Sequence, residues 1–440
     1  MDSVPCEVWL EIFSILERSH LFALRYVSRS FQRIAGPFIF KHFHFHPYAG
    51  LGGHTTGNFL LPSEAKIRRT VRRLRFWASE NVAPLVKECT VSPWDGWQGY
   101  TSCNGGDMLL CTFIELLPRF TNLRKFGSSS VKFTQPFVDA LGSLPNLKEI
   151  DVGRCSIDED VTIDHPLQME ALSFTNMDTT WFRHELNTIG MQRWSSMVDR
   201  QMLTHISLPS AEAMKAFLDV DTAPFPNVTT LDAYIDQNTT SLHRFPAVRK
   251  LRIVSYEKAF SQRSGSCFPR LEEYHGLPEY LTVLDSRATP RRLQFDLCMP
   301  ARILRILQPC AHTLRSVTTL AVSFDTLPSA ILRPIMESFG VLLDFRMEIK
   351  VEWYSQLKPE MHNAKALFLE VAENSPFPRS IKVIALIWRF DKGDNWPLPA
   401  VDVLPAARTA WVALKTEHPN LREASFCLAR VATPMETSIR

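Results

Sequence analysis

The chain has 440 residues, 45% of them hydrophobic and 22% charged, with a formal net charge of +3; that is too long for one ordinary compact core and too near neutral to argue for nucleic acid or an anionic membrane surface. Its nine cysteines include no C-x-x-C and no zinc-ligand spacing, which favours a reducing location, cytoplasm or nucleus, and gives no metal or cofactor site. Acidic Asp2 and Glu7 open a chain that contains no run of about 18 apolar residues, so neither a secretory leader nor a membrane span is expected.

Ser3 is placed to cap a first helix, with Pro5 in its first turn and Glu7 at the positive end of its dipole. Val8, Ile12 and Leu16 form one apolar row on that helix, and Trp9 with Phe13 the next. A second helix carries Leu21, Leu24 and Val27. A third begins near Ser28, carries Phe31 and Ile34, and is expected to stop at Gly36-Pro37. Connections of a few residues force the three together. The segment holds more apolar surface than it can bury, which points to a partner protein.

The run Val4-Pro5-x-Glu7-Val8-x-x-x-Ile12-Phe13-x-x-Leu16, followed by Leu21-x-x-Leu24-x-x-Val27-Ser28-Arg29-x-Phe31, resembles an F-box. It is most similar to the F-box of fungal proteins, whose third helix continues as Val-Ser-Arg-x-Phe. The resemblance covers roughly residues 3 to 40. Val4 stands where the family has leucine, which removes a methylene of packing, on the order of 1 kcal/mol. The resemblance implies docking onto the Skp-type adaptor of an SCF-type cullin–RING ubiquitin ligase. Pro5, Ile12, Phe13, Leu16, Leu21, Leu24, Val27, Ser28, Phe31 and Ile34 would form or support that interface, and the remainder of the chain would present a protein substrate.

Lys41-His42-Phe43-His44-Phe45-His46 alternates as a strand with three histidines on one face. No acidic or cysteine ligand lies nearby in sequence, and alternation explains the pattern without a metal. Gly50 to Gly57 is rich in glycine but has Asn58 where a phosphate loop needs lysine, so it is expected to be a linker. Lys66, Arg68, Arg69, Arg72, Arg73 and Arg75 form the clearest basic cluster. It reads as a solvated helix face or, as a site, a set of guanidinium groups for the phosphates of a partner. Trp94, Trp97 and Tyr100, in the segment ending at Asp107, are read as a cap over the following domain ahead of a partner anchor.

From about residue 67 short units carry an apolar–x–x–apolar–x–apolar core, the strand core of leucine-rich repeats. Leu147-Lys-Glu-Ile150-Asp-Val152-Gly-Arg-Cys155-Ser-Ile157 fits every position of the repeat. Similar cores start at Val71, Leu123, Met169, Leu203, Val228, Val248, Leu271, Val317, Leu342, Ile381 and Leu421. Proline stands two residues before the core at Pro145, Pro226, Pro246, Pro269 and Pro419, where the chain would turn into the sheet. Segments such as 135–141 and 211–218 read as outer helices.

The expected fold class is α/β: a three-helix F-box over 1–46, a flexible linker over 47–66, and an irregular leucine-rich-repeat-like βα solenoid over 67–440. A compact α/β domain is the rival, and its strands would read as more continuous Val/Ile runs. Strand alternation exposes Asp151, Asp232, Arg252 and His275 as a substrate face, with Arg69, Arg72 and Arg73 as a second patch. No G-x-S-x-G, H-E-x-x-H, Walker or Rossmann signature occurs. An adaptor without catalysis of its own is therefore expected, with a scaffold lacking any ubiquitin-ligase role as the alternative.

Overall fold

The computed structural model describes residues 4–46, 63–92, 107–129, 131–153, 155–175, 188–208, 210–218, 223–234, 241–253, 267–283, 287–310, 314–324, 332–351, 377–390, 400–430, 433–435 and 438–439. Ser3, the glycine-rich stretch and the Trp94–Tyr100 segment lie outside these residues. The chain divides into two units, Met1–Ala223 and Pro224–Arg440.

The first unit opens with α1 (Cys6–Ile15), α2 (Arg18–Leu24) and α3 (Arg29–Ile39). Ser28 caps α3, its Oγ accepting from the Phe31 N–H at 3.1 Å. Phe13, Leu21, Phe31, Ala35 and Ile39 close a small core between the helices. Trp9 and Phe13 pack edge-on against Phe31 at 4.9 and 5.3 Å between centroids. α3 does not stop at Gly36-Pro37 but carries both inside it as far as Ile39. Pro37 forfeits one backbone bond near the helix end, and the extra turn buries Ile39, 1% exposed.

Almost directly after α3 comes β1 (His42–Phe45), which pairs in parallel with β2 (Glu88–Val91). The sheet thus begins inside the segment expected to be wholly F-box. Between these strands lies α4 (Glu64–Trp77). Residues 64–66, expected in the linker, form its first turn, and the unit expected to start a strand at Val71 is helical. Ile67, Val71, Leu74 and Ala78 recur three and four apart, a helical period, and exposed Phe76 supplies the third apolar position that the strand test requires after Val71 and Leu74. Ser63 starts the helix by accepting from the Lys66 N–H at 3.4 Å.

Next come α5 (Asp107–Leu116), β3 (Lys125–Ser129), β4 (Lys132–Phe133), α6 (Gln135–Gly142), β5 (Glu149–Gly153), β6 (Ser156–Ile157), β7 (Ala171–Phe174), α7 (Thr188–Met197), β8 (His205–Leu208) and α8 (Ala211–Leu218). The sheet runs β1-β2-β3-β5-β7-β8, parallel at every pairing from β1 to β8. β4 and β6 make a separate parallel pair. The helices expected over 135–141 and 211–218 are α6 and α8.

The second unit repeats the plan with β9 (Thr230–Ala233), β10 (Lys250–Ile253), β11 (Glu273–Gly276), β12 (Arg292–Cys298), α9 (Pro300–Leu307), β13 (Thr319–Phe324), β14 (Asp344–Val351), β15 (Val383–Phe390) and β16 (Glu423–Arg430). Helices Leu332–Glu337 and Ala400–Glu417 fill two of its crossovers. Its strands pair in parallel in chain order up to β16. There β17 (Thr433–Met435) and β18 (Ser438–Ile439) add in antiparallel sense.

One hydrogen-bond device recurs in both units. The Lys87 carbonyl accepts from the N–H groups of Arg124 and Lys125, the Arg124 carbonyl from Lys148 and Glu149, and the Arg249 carbonyl from Glu272 and Glu273. The prolines sit just before it in β-turns. Leu147, Val248, Leu271 and Leu421 donate to the carbonyls of Leu144, Phe245, Phe268 and His418, with Pro145, Pro246, Pro269 and Pro419 at the second turn position, where a fixed φ is an advantage. Both ends of each turn are buried, apolar at every place but His418, and the parallel strand-and-crossover plan is leucine-rich-repeat-like.

Candidate protein-docking surfaces

The helices at the chain start sort the expected adaptor-facing residues into two groups. Phe13, Leu21 and Phe31 are buried in the domain's own core, and Leu16, Leu24 and Ile34 pack partly against it. Ser28 acts on α3 as its cap. These seven shape the surface from beneath. Pro5, Ile12 and Val27 face outward, Val27 being 62% exposed.

Around them lie exposed apolar groups absent from the expected set: Val4, Val8, Leu10, Ile15, Phe22 and Tyr26. Ile15, 80% exposed, continues the Val8–Ile12 row at helical spacing, and that spacing is the signal that marks it in the sequence. The Arg25 guanidinium lies over the Tyr26 ring at 4.9 Å and the Phe22 ring at 5.7 Å, holding both rings in place by cation–π attraction. A 46-residue segment with a closed core thus keeps a set of large apolar side chains in water, at a free-energy cost that a partner would remove.

The second surface is the sheet face of the second unit. Asp232, Arg252, His275 and Gln294 stand in register on β9, β10, β11 and β12, so neighbouring positions are about 4.8 Å apart. The structure therefore brings three of the expected residues into one row. His275 Nε2 lies 2.5 Å from Asp296 Oδ2, which fixes the imidazole. A parallel row is held by Lys250–Glu273 and Arg292–Glu273 at 3.2 and 3.5 Å. Such exposed pairs contribute little stability, but they set a fixed pattern of charge.

Asp151 belongs to the first unit, in register with Gly127 and Ser173, and accepts a hydrogen bond from Thr175 Oγ1 at 2.9 Å. Arg69, Arg72 and Arg73 lie exposed on α4.

His42 and His44 of β1, and His46 just after it, have other roles. His42 Nδ1 lies 3.0 Å from Glu88 Oε2, and the His44 and His46 rings stack at 6.4 Å. Burial, then the neighbouring His46 and His42, push the His44 pKa down. Among the described residues no group of three His, Cys, Asp or Glu side chains is arranged for a metal ion, and no helix is long and apolar enough to cross a membrane.

The family described as F-box-like matches residues 1–46, the segment that carries α1 to α3 and β1. Comparison with curated proteins gives no match. The solved structure of the leucine-rich repeat-containing protein LegL7 from Legionella pneumophila is similar over 89% of this chain and 92% of that one, with 11% identity and a TM-score of 0.32. A likeness that weak carries no argument, and the repeat architecture rests on the parallel ladders themselves. Residues 1–46 of this chain are an F-box-like domain, and its last strand opens a parallel, leucine-rich-repeat-like sheet.

Proposed function

We propose that this chain is a substrate-recognition subunit of an SCF-type ubiquitin ligase, with an F-box of the fungal kind. F-box domains as a class bind Skp-type adaptors, and through such an adaptor the chain would join a cullin scaffold. The observation that carries the proposal is the solvent-facing apolar set Val8, Ile12, Ile15, Phe22, Tyr26 and Val27 on a domain whose own core is already closed. That surface fits a protein partner with an apolar groove and a polar rim.

In this account the row Asp232, Arg252 and His275 contacts the substrate, a protein, and Asp151 does so from the first unit. Fixed charges on a sheet confer specificity by complementarity. The chain works without catalysis of its own, in the cytoplasm or nucleus. Co-purification with a Skp-type adaptor tests the docking half: the adaptor is expected in the complex, and a Leu24→Asp, Val27→Asp variant is expected to lose it. Depletion of the protein tests the ligase half, since a substrate that accumulates supports ubiquitylation and constant levels across the proteome contradict it.

A further inference from the structure

The helix α4 presents a further exposed face, of a different chemistry. Placed on a helical wheel at 100° per residue, Arg75, Arg68, Arg72, Phe76, Arg69 and Arg73 fall in that order along an arc of about 160°. All six are exposed, while Leu74 and Trp77 on the opposite side are buried. Arg68 has one ion pair, with Glu64 at 3.1 Å. Among the described residues Arg69, Arg72, Arg73 and Arg75 have none. The preceding stretch, residues 47–62, contains no Asp or Glu that could supply one. Like charges three and four apart on one helix repel, so the arc is held at a cost in the free chain.

In that projection Phe76 falls between Arg72 and Arg69, and along the axis it lies at the C-terminal end of the arginine run, 52% exposed. Its ring is fixed by edge-on contacts with Phe40 at 5.9 Å and Trp77 at 6.4 Å. A rigid exposed aromatic at the end of a row of guanidinium groups has the make-up of a binding hot spot. The face is convex, so its guanidinium groups diverge and do not converge on one dianion as a phosphate cradle does. Several single charges spread along a chain match it better. The chain's near-neutral balance disfavours a nucleic acid. The buried apolar side of α4 has no face left for a bilayer.

We infer that α4 docks an acidic, Asp/Glu-rich segment of a partner protein, with an apolar side chain of that segment seated on Phe76. The inference rests on α4 alone, so its failure leaves the adaptor proposal standing.

The test is fluorescence anisotropy of a labelled Asp/Glu-rich peptide with one central leucine, titrated with the full chain at low and moderate salt. Saturable binding that weakens with salt is expected. The triple variant Arg69→Gln, Arg72→Gln, Arg73→Gln, which keeps good helix formers, is expected to lower affinity about tenfold. Replacing the peptide's leucine by serine is expected to weaken binding to the native chain and to leave binding to the Phe76→Ser variant unchanged. Circular dichroism of each variant shows whether α4 is retained. Absence of saturable binding, equal affinity of a folded triple variant, or tighter binding of a single-stranded RNA or a phosphoserine peptide of equal charge would overturn the inference.

Discussion

Phe43, on the first strand of the sheet, stacks on Trp77 at the end of α4 with ring centroids 4.7 Å apart. Phe40, at the end of α3, meets the same indole edge-on at 5.4 Å. One tryptophan therefore ties the last F-box helix, the first strand and the first outer helix together. Trp77→Ala is expected to cost about 3–5 kcal/mol, read as a lower urea midpoint. It should also speed proteolysis within residues 1–46, whereas Val412→Ala, at a 64% exposed position, should do neither.

Gly276 ends β11 at φ +151, where an added Cβ would lie 3.0 Å from Ile253 Cβ and Tyr274 Oη. Only glycine adopts that backbone region freely. Gly276→Ala should lower stability by about 1–3 kcal/mol. Thermal melts compared with Gly340→Ala, which meets nothing within 4 Å, separate this strain from a general glycine effect.

The strand cores were legible because the repeat demands three buried positions in a fixed order. Eleven of the twelve expected units contain a strand, from the unit starting at Leu123, which holds β3, to the unit starting at Leu421, which holds β16. The failures have physical reasons. Val71, Leu74 and Phe76 satisfy the spacing but belong to a helix, since i and i+3 share a face in that geometry too. β2 was hidden because Cys89 fills a core place, where it is 1% exposed. β12 was hidden because buried Pro290 stands where other units have Leu, Val, Ile or Met. In the F-box, apolar periodicity marks core-forming Phe13 and Leu21 more strongly than the outward Tyr26 and Ile15, because the helical period follows the side of each helix that the domain's own core buries.

His418 occupies the turn position that Phe245, Phe268 and Leu144 hold in other repeats. Its ring lies 6.4 Å from Phe377, and burial pushes its pKa below the ordinary 6.5, against a smaller opposing pull from Glu417. The folded state thus binds fewer protons than the unfolded one just below pH 6.5. Stability is then expected to fall as pH drops through that value toward the folded pKa, and to be level above it. Urea titrations between pH 7.5 and 5.5 measure this, and His418→Phe should reduce the slope, leaving the part that His44, shifted in the same direction, contributes.

Ile15 and Val27 separate docking from folding, because both are exposed and neither belongs to the small core. The Ile15→Asp, Val27→Asp variant should change stability by only about 0.5 kcal/mol per site. Phe13→Ala, by contrast, empties the centre of that core and should cost about 3–5 kcal/mol.

The most direct test is the affinity of the purified chain for a Skp-type adaptor, measured by calorimetry for the native protein and for Ile15→Asp, Val27→Asp. Saturable one-to-one binding, weakened about a hundredfold or more in a variant with unchanged melting, is the predicted result. No binding by the native chain, or equal binding by the double variant, would contradict the adaptor account.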